Sequence, residues 1–310
     1  MKKIQYSRYG GTEELRLDDV PLPEPGKGQV RVRVMAASFN PMDAKIRRGA
    51  MKMLSGSRFP RGLGHDFAGV VEAVGPGGSG FKPSDEVIGV TSIPKAGAMA
   101  DYVVADAQNI GIKPAGMPFE EAAALTIVGL TAWTALVAKA KLSEGQMVFV
   151  NGCLGAVGRS AVQIARMCGA SVVGACSPTD FGAARTLGVS ETVDYRALEV
   201  HAFARRFDVV FDTAGALSLR QCGVMLKPSG MSLHIVPNLA KWAGSLFSSR
   251  HHLVFGNPTP ESFAGIAEAA ERGILVPVIG RTVPLSEAIP AIAEFAKTGS
   301  PKGKLIIAPE

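Results

Sequence analysis

The stretch MVFVNGCLGAVGRSAVQIARMCGASVVGAC (147–176) decides the fold. MVFVN has the β-branched and aromatic content of a buried strand. It runs directly into Gly152, Gly155 and Gly158, and GRSAVQIARMCG then reads as a helix closed by Gly169. SVVGAC is a second strand. Glycines at such a junction permit a tight turn, and they let main-chain N–H groups approach a pyrophosphate at the positive end of the helix. The spacing is G-x-x-G-x-x-G, which departs from G-x-G-x-x-G at the first glycine. The alternative is a tight strand–helix turn that binds nothing. The strand before, the helix at once after and the second strand favour the phosphate loop, formed by Gly152, Cys153, Gly155, Ala156, Val157 and Gly158. Cys153 has two readings of its own. A thiol at a helix N-terminus can be acidified and reactive; the preferred reading is a small residue tolerated in a tight loop.

Outward from this stretch, strands and helices keep alternating: FGAARTLG (181–188) as helix, FDVVFD (207–212) as strand, LRQCGVMLKPSG (219–230) as helix and exit, MSLHIV (231–236) as strand. Such alternation predicts a parallel sheet covered by helices on both faces. Upstream the texture differs. VRVRV (30–34) has the two-residue period of a strand with one wet face, and short β-rich runs bounded by Gly, Pro and Ser make the first third an all-β body. Residues 117–142 are rich in alanine and leucine and predict helix. The tail predicts two helices, ESFAGIAEAAERG (261–273) and LSEAIPAIAEFAKTG (285–299), and a closing strand, GKLIIAP (303–309). The expected division is 1–118, 119–257 and a returning segment 258–310. NLAKWAGSLFSSRHH (238–252) fits neither pattern.

The second strand ends at Cys176 and Ser177, where sites that prefer NAD place a carboxylate. Without it a ribose 2′-phosphate can be accommodated, with Ser177 and Tyr195 as hydroxyl partners and Arg196 as a nearby charge. NADPH is therefore the expected cofactor, although Asp180 argues the other way. With 47% hydrophobic and 19% charged residues over a length of 310, the composition is that of an ordinary soluble protein. The net charge of +6 comes from dispersed Lys and Arg, without a basic block or an aromatic platform, so nucleic-acid binding is not expected. No apolar stretch reads as long and uninterrupted enough to span a bilayer, and MKKIQYSRYG lacks the apolar run of a secretory signal. The four cysteines form no C-x-x-C pair and suit a reducing compartment. A cytoplasmic location without membrane attachment is expected.

These motifs together resemble the medium-chain dehydrogenase/reductase superfamily, in its zinc-free quinone oxidoreductase branch. AASFNPMDAKIRRG (36–49) is similar to A-x-x-N-P-x-D-x-K-x-R-x-G, and GLGHDFAGVVEAVG (62–75) to its G-x-D-x-x-G-x-V turn. GFKPSDEVIG (80–89) is similar to G-F-K-x-G-D-x-V, with Ser84 for glycine. AAALTIVGLTAW (122–133) resembles the helix entry A-A-x-x-P-x-x-G-L-T-A, with Thr126 for proline. LKPSG (226–230) and GSPKGKLII (299–307) complete the set. The resemblance spans essentially the whole chain. It implies an α/β protein: a GroES-like β domain, a Rossmann domain with a doubly wound parallel sheet, and a cofactor in the cleft separating them. Residue by residue it implies Asn40 and Pro41 near nicotinamide and substrate, and Thr131 at the nicotinamide end. It places Gly155, Ala156 and Val157 on the pyrophosphate, and Ser177 and Tyr195 on the adenosine phosphate. Thr213, Ala214, Val236 and Phe255 would line the cofactor cleft. Relatives often carry Lys or Asn where this chain has Asp180.

His65 stands beside Asp66 much as the catalytic metal's histidine does in zinc alcohol dehydrogenases. Those enzymes add two cysteines, and here the corresponding residues are Asn40 and Ile127. No metal is therefore expected. Packing or cleft lining is favoured for His65 over a proton relay. Asp66 is expected to bond main-chain groups or an arginine within its turn, and Asp43 to fix its loop. Without a Lewis acid, conjugated acceptors are the easier substrates, so the expected reaction is hydride transfer from NADPH to a quinone or an α,β-unsaturated carbonyl. The Asn40 amide would steady the oxyanion, and the proton would come from water or His65. An NADPH-occupied sensor or partner-binding protein, and a zinc alcohol dehydrogenase, are the rivals. A homodimer is expected by analogy.

Overall fold

The computed structural model describes residues 1–77, 80–298 and 303–310. The chain forms two compact units, one of residues 1–127, 258–271 and 276–310, the other of residues 128–257 and 272–275. The first boundary thus falls at 127, inside the helix Phe119–Trp133, and not at 118. The composition shift at 118 marks the start of that helix rather than the end of a compact unit. Residues 272–275 also leave the expected tail and join the second unit.

The second unit holds a six-stranded parallel sheet, ordered Glu191–Asp194, Ser171–Cys176, Met147–Asn151, Phe207–Asp212, Leu226–His234, His251–Leu253. Counted along the chain this order is 3-2-1-4-5-6, the doubly wound arrangement, which reverses direction between Met147–Asn151 and Phe207–Asp212. The central strands Ser171–Cys176, Met147–Asn151 and Phe207–Asp212 are buried along almost their whole length, as strands covered on both faces are. Phe149 and Phe207 pack with ring centroids 5.2 Å apart and planes tilted by 59°, and Phe203, Cys222 and Met225 pack around them.

Two elements depart from expectation. LKPSG is not a helix exit: the helix is Leu219–Met225 and the strand begins at Leu226. Leu226 pairs with Phe207 and the register then slips before Val209–Met231, so tertiary pairing holds a Pro/Gly segment in the sheet. Residues 238–252 resolve into a helix, Leu239–Phe247, and the edge strand His251–Leu253.

The first unit holds a seven-stranded sheet on the long strand Gln29–Phe39, and a three-stranded sheet of Arg16–Asp19, Lys2–Tyr6 and Arg61–Gly62. Val30, Val32 and Val34 are buried while Arg31 turns out to Glu72 at 2.6 Å and Glu24 at 3.0 Å. The tail strand Lys304–Ala308 pairs antiparallel with this strand (Leu305 with Phe39, Ile306 with Ser38), and Asp66–Val74 pairs on the other side, Ser38 facing Asp66. Residues 299–302 of the GSPKGKLII motif, and the expected helix end at Gly299, lie outside the described residues. The helical run Phe119–Lys139 is long and apolar enough to cross a membrane by length and composition, contrary to expectation. With 67% of its apolar window buried inside the protein, it is a core helix.

Arg47, at the end of the helix Pro41–Arg47, is fully buried, and its Nε, Nη1 and Nη2 have no hydrogen-bond partner among the described residues. Desolvation of an unpaired guanidinium opposes folding. Arg47→Met is therefore expected to raise the unfolding free energy by ~1 kcal/mol or more, read as a higher urea midpoint at unchanged m-value; a lower midpoint would contradict it.

Candidate active site

The register of the first unit's sheet carries Lys304, Asn40, Ser38 and Asp66 to one end of three adjacent strands. There they join in a buried network. Lys304 Nζ donates to Asn40 Oδ1 at 2.5 Å, and Asn40 Nδ2 donates to Asp66 Oδ1 at 2.7 Å and to the Ser38 carbonyl at 3.3 Å. Ser38 Oγ donates to Asp66 Oδ2 at 2.7 Å, and Lys304 Nζ lies 3.9 Å from the same oxygen. Asp66 therefore bonds the side chains of Ser38 and Asn40, at the end of one adjacent strand, rather than main-chain groups or an arginine of its own turn. Burial pushes the Asp66 carboxyl up and the Lys304 ammonium down, and each charge partly offsets the other's shift.

Asp43 fixes the loop as expected, accepting from the Asn40 main-chain N at 2.8 Å. Its other oxygen meets His65 Nδ1 at 2.5 Å. Burial opposes protonation of His65, but the bond and charge of Asp43, with the charge of Asp66, outweigh it and leave the pKa raised. Nε2 of His65 is buried and makes no hydrogen bond of good geometry among the described residues, although the Ile93 main chain also favours a proton on the ring. Both amide hydrogens of Asn40 are engaged inside the unit, so in this arrangement its amide has no free donor for an oxyanion. Pro41 opens the helix that follows and is exposed.

In the second unit the glycine turn is built as the sequence implies. Gly152 has φ +80, and its missing Cβ would lie 3.0 Å from Thr213 Oγ1 and 3.2 Å from Ala214 Cβ. A Cβ on Gly158 would stand 2.1 Å from the Gly152 carbonyl oxygen. The helix Ala156–Met167 starts with no side-chain cap on Gly155, and Gly155 and Ala156 are exposed. First-turn amides left open at an exposed helix start are donors for an anion. These residues fit the pyrophosphate of a dinucleotide. Val236 packs close to Gly215, where an added Cβ would meet it at 2.7 Å, so Gly152, Thr213, Ala214 and Val236 gather at the switch point.

Ser177 and Tyr195 follow the paired strand ends Cys176 and Asp194, so they lie side by side along the sheet edge. Ser177 Oγ is 3.0 Å from Thr179 Oγ1, and the half-exposed Tyr195 hydroxyl accepts from Arg196 Nε at 3.1 Å. Asp180 and Asp194 both act on the Cys176 thiol, which places negative charge near the same corner. Thr131 is buried in the helix Phe119–Trp133, and Phe255 is half-exposed beside Trp242, with centroids 6.3 Å apart.

Sequence reasoning missed a second buried network. Asp212 Oδ1 accepts from Asn151 Nδ2 at 2.8 Å, and Lys241 Nζ meets Oδ2 at 2.8 Å. The carboxylate also accepts the main-chain N–H groups of Gly215 at 2.9 Å, Ala216 at 3.2 Å and Leu217 at 3.1 Å, and so shapes the loop that carries Thr213 and Ala214. Burial alone would raise the Asp212 pKa, but His234 at 3.5 Å, Lys241 and Asn151 outweigh it and hold the carboxyl at about 2. An acid ending a strand just before Thr-Ala-Gly was the available signal.

Cys153 is not acidified: burial, with Cys176 beside it, pushes its thiol up to about 12. Four free cysteines are present and all lie in the second unit. Among the described residues, no group of three or more His, Cys, Asp or Glu is placed to hold a metal ion. With Asn40 and Ile127 at the positions where the resemblance aligns cysteines, and His65 Nδ1 on Asp43, the donors present do not fit a catalytic zinc.

Two outcomes are expected. Cys153 should resist iodoacetamide at pH 8 in the native protein and react once the chain is unfolded, as read by mass spectrometry; native labelling would contradict its burial. A carboxyl held at about 2 contributes stability above the unfolded-state value near 4 and loses it as pH falls through 2. Asp212→Asn should therefore cost about 2 kcal/mol or more at pH 7, and the gap to the wild type in urea unfolding should narrow between pH 4 and pH 2.

The alcohol dehydrogenase GroES-like domain family matches residues 26–115, and the family described as zinc-binding dehydrogenase matches residues 187–307. The chain is 30% identical to the chloroplast envelope quinone oxidoreductase homolog of Arabidopsis thaliana, over 100% of this chain and 98% of that one. It is 32% identical to 2-methylene-furan-3-one reductase of Solanum lycopersicum, over 100% of this chain and 79% of the relative. The solved quinone oxidoreductase of Coxiella burnetii superposes with a TM-score of 0.89 at 28% identity, covering 99% of each chain. The glycine turn at the switch point of a 3-2-1-4-5-6 sheet, the GroES-like unit before it and these full-length likenesses lead to one assignment: the chain is an oxidoreductase of the medium-chain dehydrogenase/reductase superfamily.

Proposed function

We propose that this protein transfers hydride from NADPH to a quinone or an α,β-unsaturated carbonyl, without a metal ion. The observation that carries the reading is the uncapped helix start at Gly155–Ala156, set against Gly152, Thr213 and Ala214 at the switch point. When bound, the reduced nicotinamide supplies the hydride. The chain's own residues bind and orient. The Gly152–Gly158 turn offers main-chain donors to the pyrophosphate, while Asp212 fixes the adjoining Thr213–Gly215 loop through three amides. Ser177, Tyr195 and Arg196 form the polar group for the adenosine phosphate, and no carboxylate ends the second strand. Asp180 and Asp194 reduce the preference for the extra phosphate without supplying the ribose contact of an NAD site.

Acceptor chemistry follows from the donor set. The residues do not fit zinc, so a simple alcohol or ketone lacks its Lewis acid, whereas an enone or quinone spreads the incoming charge over its own conjugated system. Rate acceleration then rests on positioning the two reactants. The relatives named for quinones and for 2-methylene-furan-3-one support this acceptor class.

Stopped-flow loss of NADPH absorbance should be seen with enones and quinones and not with alcohols or simple ketones. Arg196→Ala should weaken NADPH binding about tenfold, of the order of one charge-assisted contact, and leave NADH binding within twofold, by fluorescence titration. One tightly held zinc per chain, with turnover lost on chelation, would reject the reading. Tight NADPH binding with no turnover of any acceptor would instead favour a nucleotide-occupied sensor.

A further inference from the structure

Lys304 is the one member of the first unit's buried network that comes from the far end of the chain, 264 residues beyond Asn40. Its ammonium is buried beside a strand, Lys304–Ala308, that is otherwise apolar over Leu305, Ile306 and Ile307. Burying an ammonium opposes folding unless hydrogen bonds and an opposite charge replace the lost water. Here the replacement is specific. Asn40 Oδ1 takes the hydrogen bond at 2.5 Å, and Asp66 supplies the counter-charge at 3.9 Å. On the opposite side of the same amide, Nδ2 is held by Asp66 Oδ1 at 2.7 Å. The cation and the carboxylate thus grip the two ends of one amide and fix which end is which: with Lys304 protonated, only Oδ1 can face it. Two carboxylates, Asp43 and Asp66, and two basic groups, His65 and Lys304, meet in the cluster, and Asn40 touches both acids, through its main-chain N and its Nδ2.

We propose that Lys304 is a positioning residue for the reaction, holding the Asn40–Pro41 corner in its working geometry by clamping the Asn40 amide against Asp66. The assignment rests on the functional reading given above and on the family resemblance, which implies that Asn40 and Pro41 lie near nicotinamide and substrate. Lys304 acts through Asn40 and does not itself meet substrate. A hydrogen-bond donor without charge holds the amide less firmly, and an apolar side chain of similar length leaves Oδ1 buried and unpaired.

The test is a double-mutant cycle on the full chain with Asn40→Ala, Lys304→Met and their combination, and with Lys304→Gln as the variant that keeps a donor. Lys304→Met is expected to lower kcat at least tenfold on a conjugated acceptor while leaving NADPH affinity, by fluorescence titration, within twofold. Lys304→Gln should recover part of the loss. In the Asn40→Ala background, Lys304→Met should change kcat less than twofold, because the clamp has nothing left to hold. Unchanged kcat in both Lys304 variants, or losses that multiply in the double variant, overturns the proposal. Should Lys304→Met fail to fold, the same cycle is read with Lys304→Gln. If the wild type turns over no acceptor, the functional reading fails on its own. The clamp is then judged by hydrogen exchange over the helix Pro41–Arg47: Lys304→Gln should lower its protection in the wild-type background and not in Asn40→Ala. Equal loss in both backgrounds, or none in either, overturns it.

Discussion

A carboxylate withdrawn from water keeps its charge only if nearby dipoles and cations replace its hydration, and each unit buries an acid in a polar network of this kind. Asp66 and Asp212 are both fully buried. Each takes a side-chain amide, from Asn40 or Asn151, and each faces a buried lysine from a distant element, Lys304 or Lys241. The two differ in degree. Asp212 also collects three main-chain amides and a lysine at 2.8 Å, and its carboxyl is held at about 2. Asp66 has a hydroxyl, one amide and a lysine 3.9 Å away, and burial leaves its carboxyl raised. Number and closeness of donors, together with the Asp43 charge that also raises Asp66, tip the two buried carboxylates in opposite directions.

Both acids lie where the chemistry is expected. Asp212 ends the central strand Phe207–Asp212 and turns the following amides inward, which sets the loop carrying Thr213 and Ala214 against Gly152. Asp66 starts the strand Asp66–Val74 and, through Asn40, governs the first turn of the helix Pro41–Arg47. A polar network buried under a loop restricts that loop more than apolar packing does, because hydrogen bonds carry direction. The loops expected to meet the cofactor are thus held from beneath by buried polar networks.

The glycine turn was legible from residues alone because its requirement is local: Gly158 must lack a Cβ to lie against the Gly152 carbonyl, and any sequence with that junction shows it. The alternation of Val30, Val32 and Val34 was legible for the same reason, as a two-residue period with one buried face. The helix Leu239–Phe247 was not. Its Leu239, Leu246 and Phe247 are exposed while Lys241 is buried on Asp212, which inverts the usual pattern of apolar inside and charged outside. LKPSG was misread because its Pro and Gly signal a break, and only pairing of Leu226 with Phe207 keeps it in the sheet.

The sequence by itself determined the β-then-α/β organisation, the glycine turn between strand and helix, and the absence of a carboxylate at the end of the second strand. Those features depend on neighbours within a few residues, where propensity and periodicity act. Tertiary structure alone decided that Lys304 reaches Asn40, that Asp212 meets Lys241, that Cys153 is buried, and that the amide of Asn40 is already engaged. Such pairings depend on strand register and burial, and a buried charge finds its partner by position in the sheet rather than by distance along the chain.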